Sequence, residues 1–134
     1  MQHLEDGEQQ TLIEWASLRR LPAHPKVMVS HLLFAIPNGG RRGIKEATRF
    51  RRMGVKPGVS DLFFAYPCGH YSGLWLEMKK CRKDFRSERE AEKALAPEQL
   101  DWLVLMEWAG YMAIAAYGAA EAITAIEKYL EDDE

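Results

Sequence analysis

The chain has 134 residues, with 18 Lys and Arg against 20 Asp and Glu, a net charge of −2, and 47% apolar residues including four Trp, five Tyr and five Phe. That length suits one domain and is too short for two cores. The apolar share excludes a disordered chain, and no apolar run approaches the length of a membrane span. With no signal peptide expected ahead of a polar first helix, the expected location is the cytoplasm.

The first element predicted is an amphipathic helix over 4–20, with Leu12, Ile13, Trp15 and Ala16 as its buried stripe, Leu18 at its margin, and Pro22 and Pro25 ending it. Branched and aromatic residues over 27–36 read as a first strand, closed by Pro37-Asn38-Gly39-Gly40. A short, very basic helix over 44–53 is stopped by Gly54. Two apolar strands follow, 61–66 and 73–79, joined by a turn-prone linker, Pro67-Cys68-Gly69-His70-Tyr71-Ser72. The segment 81–93 is charged, lacks an apolar stripe, and reads as a mobile loop or weak helix. Pro97-Glu98-Gln99 opens a strong helix to about residue 109, with Leu100, Leu103, Val104 and Trp108 facing the core and Gly110 after its end. A last strand over 111–117, a last helix over 119–130 and a frayed acidic tail, Glu131-Asp132-Asp133-Glu134, complete the chain. Helix, strand, helix, hairpin, helix, strand, helix is the order of an α/β sandwich with a mixed central sheet.

The hairpin carries the chemistry. Centred near Gly69, it sets Asp61 opposite Glu77, while period-two alternation puts Glu77 and Lys79 on one face and Met78 on the other. Two carboxylates and an ammonium at one end of an apolar hairpin suit a divalent metal with a water beside it, and hence phosphodiester hydrolysis. Glu-x-Lys on a strand also fits a solvated ion pair, and Asp61 a simple turn residue. Cys68 and Cys81 lie at opposite ends of the second strand, separated by about eleven extended residues at ~3.3 Å each, so they are expected as free thiols. His3, His24, His31 and His70 lack metal-ligand spacing, which argues against zinc.

The small net charge conceals a polarised chain. Fourteen of the eighteen Lys and Arg fall between Arg41 and Lys93, and 41–56 holds seven bases against one acid, Glu46. Such a segment suits a phosphate backbone, whose counterions are released on binding; a solvated helix face accounts for part of it equally well.

Five motifs in order resemble the virus-type replication-repair nuclease domain, VRR-NUC, of the PD-(D/E)xK superfamily: Glu5-Asp6-Gly7-Glu8-Gln9, Pro37-Asn38-Gly39-Gly40-Arg41, Gly58-Val59-Ser60-Asp61, Glu77-Met78-Lys79 and Pro97-Glu98-Gln99. The one departure is Ser60, where the superfamily's name has Pro; that position supplies no ligand. The resemblance implies a restriction-endonuclease-like sandwich and a metal-dependent DNA endonuclease of the stand-alone phage or prophage type, which would work in the host cytoplasm. It implies Mg²⁺ or Mn²⁺ held by Asp61, Glu77 and the backbone carbonyl of Met78, with Lys79 orienting or deprotonating the attacking water. Gln99, just inside a helix N-terminus, would hold a water or the scissile phosphate, although a helix-start hydrogen bond explains it as well. Glu5 has the family's spacing to Gln9 and is preferred over Glu8 as a further carboxylate; a solvated first-turn glutamate is the plainer reading. Asn38, Gly39 and Gly40 would let backbone approach DNA, and Arg41, Arg42, Lys45, Arg49 and Arg52 would contact phosphates. The expected substrate is branched DNA such as a Holliday junction, cut by a homodimer whose twofold axis supplies two sites. The 100–108 helix and the last helix are the candidate dimer surfaces. A catalytically silent DNA-binding or assembly protein and a sequence-specific restriction-type nuclease are the other readings.

Overall fold

The computed structural model describes residues 2–37 and 43–134. In chain order the elements are α1 (Gln2–Ala16), β1 (Leu33–Ala35), α2 (Ile44–Arg52), β2 (Leu62–Phe64), β3 (Leu74–Lys79), α3 (Glu88–Glu92), α4 (Pro97–Trp108), β4 (Met112–Tyr117) and α5 (Ala119–Tyr129). The four strands form one mixed sheet in the order β1-β2-β3-β4, antiparallel except for the parallel β3–β4 pair. Parallel neighbours need a crossover, and α3 and α4 provide it.

The hairpin register is the expected one, Leu62 opposite Leu76, Phe63 opposite Trp75 and Phe64 opposite Leu74. Alternation then sorts the sheet into two unlike faces. Leu33, Leu62, Phe64, Leu74, Leu76, Met78 and Ala116 form a buried face, packed with Leu12 and Ala16 of α1 and Ala122, Ile126 and Tyr129 of α5. The other face carries Phe34, Phe63, Trp75, Glu77 and Lys79 and is covered in part by α4, whose Trp102 meets Trp75 edge to face. β3 is therefore central in every sense: five of its six residues are buried.

Both helix stops read from glycine hold. Gly54 and Gly110 have φ of 94° and 104°, and each follows a helix whose last carbonyls are taken in a Schellman pattern, Val55 N–H to Phe50 and Tyr111 N–H to Met106.

Several expectations are corrected. The helix α1 ends at Ala16, and Leu18 lies beyond it, 82% exposed. The 27–36 strand shrinks to Leu33–Ala35. Its first half finds local partners instead: Leu21 and Val27, Val29 and Arg19, then a 3-10 turn over Val29–His31. The 81–93 segment contains a 3-10 turn (Arg82–Asp84) and α3, capped by Ser87 accepting from the Glu90 N–H. Of the four α4 residues expected in the core only Leu103 is buried, while Leu100, Val104 and Trp108 point outward, because Trp102 and Leu103 are the residues that meet the sheet. The acidic tail is pinned: Asp133 accepts from the Tyr66 hydroxyl and from the Ala23 N–H.

The N-terminus of α4 is docked on Gly58, whose φ is +81° and where an added Cβ would come within 2.2 Å of the Glu98 carbonyl oxygen. Gly58→Ala is expected to lower stability by roughly 1–3 kcal/mol, since it combines a left-handed backbone with a backbone clash. Denaturant unfolding checks this; an unchanged midpoint would mean that α4 does not rest on this glycine.

Candidate active site

One end of the sheet gathers the polar residues. Asp61 precedes β2 by one position, so continuing the Leu62–Leu76 register sets it across from Glu77. Its carbonyl accepts the Ile36 N–H at 2.8 Å, and its Oδ2 accepts the Met78 N–H at 2.7 Å. Gly73 and Lys79 carbonyls accept N–H groups of Met112 and Gly118, which assigns the odd-numbered main chain of β3 to β4. Met78 accordingly turns its N–H and C=O towards Asp61 while its side chain is buried in the core.

Gln99, at the third position of α4, ties the site together. Its Oε1 accepts from Lys79 Nζ at 3.0 Å and from the Ala96 N–H at 2.9 Å, and its Nε2 donates to Glu77 Oε2 at 3.2 Å. The expected helix-start hydrogen bond is made, and the same amide also contacts Lys79 and Glu77. Lys79 Nζ lies 3.8 Å from Glu77 Oε2, an ion pair without a direct hydrogen bond.

Glu77 and Lys79 are only 2% and 7% exposed. Glu77 Oε1 is buried without a hydrogen-bond partner. Burial, and next the Asp61 carboxylate beside it, push the Glu77 carboxyl up from 4.5 to about 9, with Lys79 opposing. Two ionised carboxylates are both acceptors, so a cation or proton between them is what Oε1 lacks. Glu5 stands within the same field: burial raises its carboxyl, with Lys79 acting downward and Asp61 upward. Glu8 is engaged elsewhere, its Oε1 accepting the Ala119 N–H at 2.7 Å as a cap for α5. Of the two glutamates it is thus Glu5 that faces the site. Glu8 lies one turn before Leu12, a spacing that already set it on the inner side of α1.

Among the described residues no group of three or more His, Cys, Asp and Glu side chains forms a metal cage. A hard cation such as Mg²⁺ does not require one, because it binds through one or two carboxylates and retains waters or phosphate oxygens. Asp61, Glu77 with its unpartnered oxygen, and the Met78 carbonyl fit that pattern. Lys45, Arg49 and Arg52 lie exposed along α2, spaced to share one face. Asn38, Gly39, Gly40, Arg41 and Arg42 lie outside the described residues.

A carboxyl raised by folding makes the protein less stable as pH rises. The unfolded chain ionises near 4.5 while the folded one holds its proton to about 9, so stability contributed at low pH is lost across that interval. With divalent cations chelated, Glu77→Gln is expected to raise the melting temperature by several degrees at pH 8 and by much less at pH 5. Thermal melts of both proteins over this range check it; parallel curves would mean that Glu77 carries no burial cost.

A solved structure described as a VRR_NUC domain protein superimposes on this chain with a TM-score of 0.75 and 26% sequence identity, covering 96% of this chain and 89% of that one. No family model matches the chain, and no curated protein does. The mixed four-stranded sheet flanked by helices matches the fold of that VRR_NUC domain protein, and this likeness, together with the motif order, supports a VRR-NUC domain assignment and a nuclease-type fold for this chain.

Proposed function

We propose that this protein is a DNA endonuclease dependent on Mg²⁺ or Mn²⁺, cutting branched DNA such as a four-way junction in phage replication, recombination or repair. The observation that carries this reading is the buried Glu77 beside Asp61, with Glu77 Oε1 unpartnered and Lys79 fixed next to it. Asp61, Glu77 and the Met78 carbonyl would hold the cation, which when bound supplies Lewis-acid stabilisation of the phosphate and a more acidic water.

The chain's own residues do the rest. Gln99 holds Lys79 Nζ and Glu77 Oε2 at fixed separation, so neither side chain must reorganise during the reaction. Lys79 orients the attacking water and offsets the charge that develops on the phosphate. Glu5 adds a third carboxylate at the rim. Lys45, Arg49 and Arg52 on α2 contact backbone phosphates, which position the duplex without reading its bases.

Asp61→Ala and Glu77→Ala are expected to abolish cleavage of a synthetic four-way junction in Mg²⁺ while leaving DNA binding intact. Lys79→Ala should lose roughly 10²–10⁴-fold, and Lys79→Arg should recover little, since a guanidinium is not a base at neutral pH and differs in shape from an ammonium. Wild-type rates in any of these variants would remove that residue from the site, and an inert wild type on every DNA tested would favour the silent DNA-binding reading. A linear duplex cut as fast as the junction would remove the branch preference.

The exposed side of α4 favours a homodimer. Leu100, Val104 and Trp108 recur every fourth residue and are 51%, 62% and 83% exposed, an apolar stripe that the monomer leaves in water. The last helix does not serve, because Ala122, Ile126 and Tyr129 are spent on the core. Val104→Glu with Trp108→Ala is expected to halve the mass measured by light scattering and to turn paired cuts into single nicks. A wild type that is already monomeric while resolving junctions in full would rule the dimer out.

A further inference from the structure

The open face of the sheet carries a feature that the hydrolytic chemistry does not use. Phe34, Phe63 and Trp75 occupy one rung across β1, β2 and β3, and Trp102 of α4 extends the row. Their rings touch in sequence, with centroids 5.9, 4.4 and 5.3 Å apart, and Tyr111 closes on Phe63 at 5.8 Å. The row is built rather than incidental. Gly73 lies beneath the Phe63 ring, where an added Cβ would sit 2.8 Å from it, so the ring lies across β3 only because position 73 has no side chain.

Two facts say what meets this row. Phe63 and Trp75 each stand two residues from Asp61 and Glu77 on the same face, about 6.6 Å along the strands, or roughly two base steps of a nucleic acid strand. The outer end, Phe34, is 48% exposed. It stands on the strand that leads into α2, which has no buried residue and four bases, Lys45, Arg49, Arg51 and Arg52, against Glu46. A nucleic acid strand cut at Glu77 would have the rings beside it, two residues away along β2 and β3. A paired duplex offers them no free π-face, because its bases already stack on one another; an unpaired base does.

We propose that Phe34, Phe63 and Trp75 form a stacking platform for unpaired nucleobases of the DNA next to the cut, so that the enzyme selects DNA with single-stranded or opened character at that point. This rests on the nuclease reading above. Aromatic stacking tolerates any base, so the platform senses strand structure and not sequence.

The test is fluorescence anisotropy, under chelating conditions, with a labelled oligothymidylate and with a labelled blunt-ended duplex that has no unpaired bases. Phe34→Ala and Phe34→Leu should each weaken oligothymidylate binding by roughly 5- to 150-fold, with duplex affinity changed by about twofold or less, while Phe34→Tyr should retain both. Leucine keeps the apolar bulk, so its failure isolates the ring. Retained oligothymidylate affinity in Phe34→Leu, or equal losses on both probes, would overturn the platform. A change of molecular mass in Phe34→Ala would overturn it too, and make the row a contact between subunits. The nuclease reading fails separately, if the wild type cuts no DNA; junction cleavage with a Phe34→Leu variant that binds oligothymidylate like the wild type sinks only the platform.

Discussion

A buried carboxylate on the central strand, with one of its two oxygens unpartnered, organises this molecule. β3 must be buried for the sheet to have a core, and at Glu77 that burial takes an ionisable group out of water beside a second carboxylate. Such a group is tolerated only where neighbours offset part of its cost. Gln99 donates to one oxygen, Lys79 stands 3.8 Å from it, and the other oxygen is left open. That open oxygen is where the proposed cation would bind, since a fully satisfied Glu77 would have no affinity to spare for one.

Two helices reach this end of the sheet with their N-termini, and α4 offsets part of that cost. The helix α4 arrives with Gln99 already locked by the Ala96 N–H, so the amide that bridges Lys79 and Glu77 has little freedom left to lose. Its approach depends on Gly58, where backbone lies against backbone. The helix α1 contributes Glu5, while Glu8 one turn on fastens α1 to the start of α5. The same helix therefore serves the site and the core with two glutamates three residues apart.

The two faces of the sheet divide the labour. One is buried and apolar, sealed by α1 and α5 and by a carboxy-terminal latch in which Tyr66 donates to Asp133 and Tyr129 donates to the Tyr66 carbonyl. The other is aromatic and only partly roofed by α4, and it carries the carboxylates and the lysine. Apolar groups left in water on α4 and at Phe34 lie on or beyond this second face, where a duplex, an unpaired strand or another subunit can reach them.

Local chemistry was legible in the sequence wherever one element decides the outcome. The Asp61–Glu77 register followed from a short hairpin about Gly69, the stops at Gly54 and Gly110 from the left-handed backbone only glycine adopts readily, and the start of α4 from Pro97. Only tertiary structure decided which side of an apolar helix is buried. In α4 every position from Trp102 to Met106 is apolar, so periodicity could not choose between the Leu100–Val104–Trp108 side and the Trp102–Leu103 side, and contact with Trp75 made the choice. The strand over 27–36 looked β-forming by composition, yet its backbone found local partners, because β2 is only three residues long and offers no further ladder. Glu5 was preferred over Glu8 only on its spacing to Gln9, and the packing of α1 against α5 then assigned Glu8 to the cap of α5. What the residues determined alone was the chemistry within reach of a turn or a strand. What needed the fold was every choice between two sides of a helix, since sequence fixes the spacing of side chains but the packing partner selects the direction in which they face.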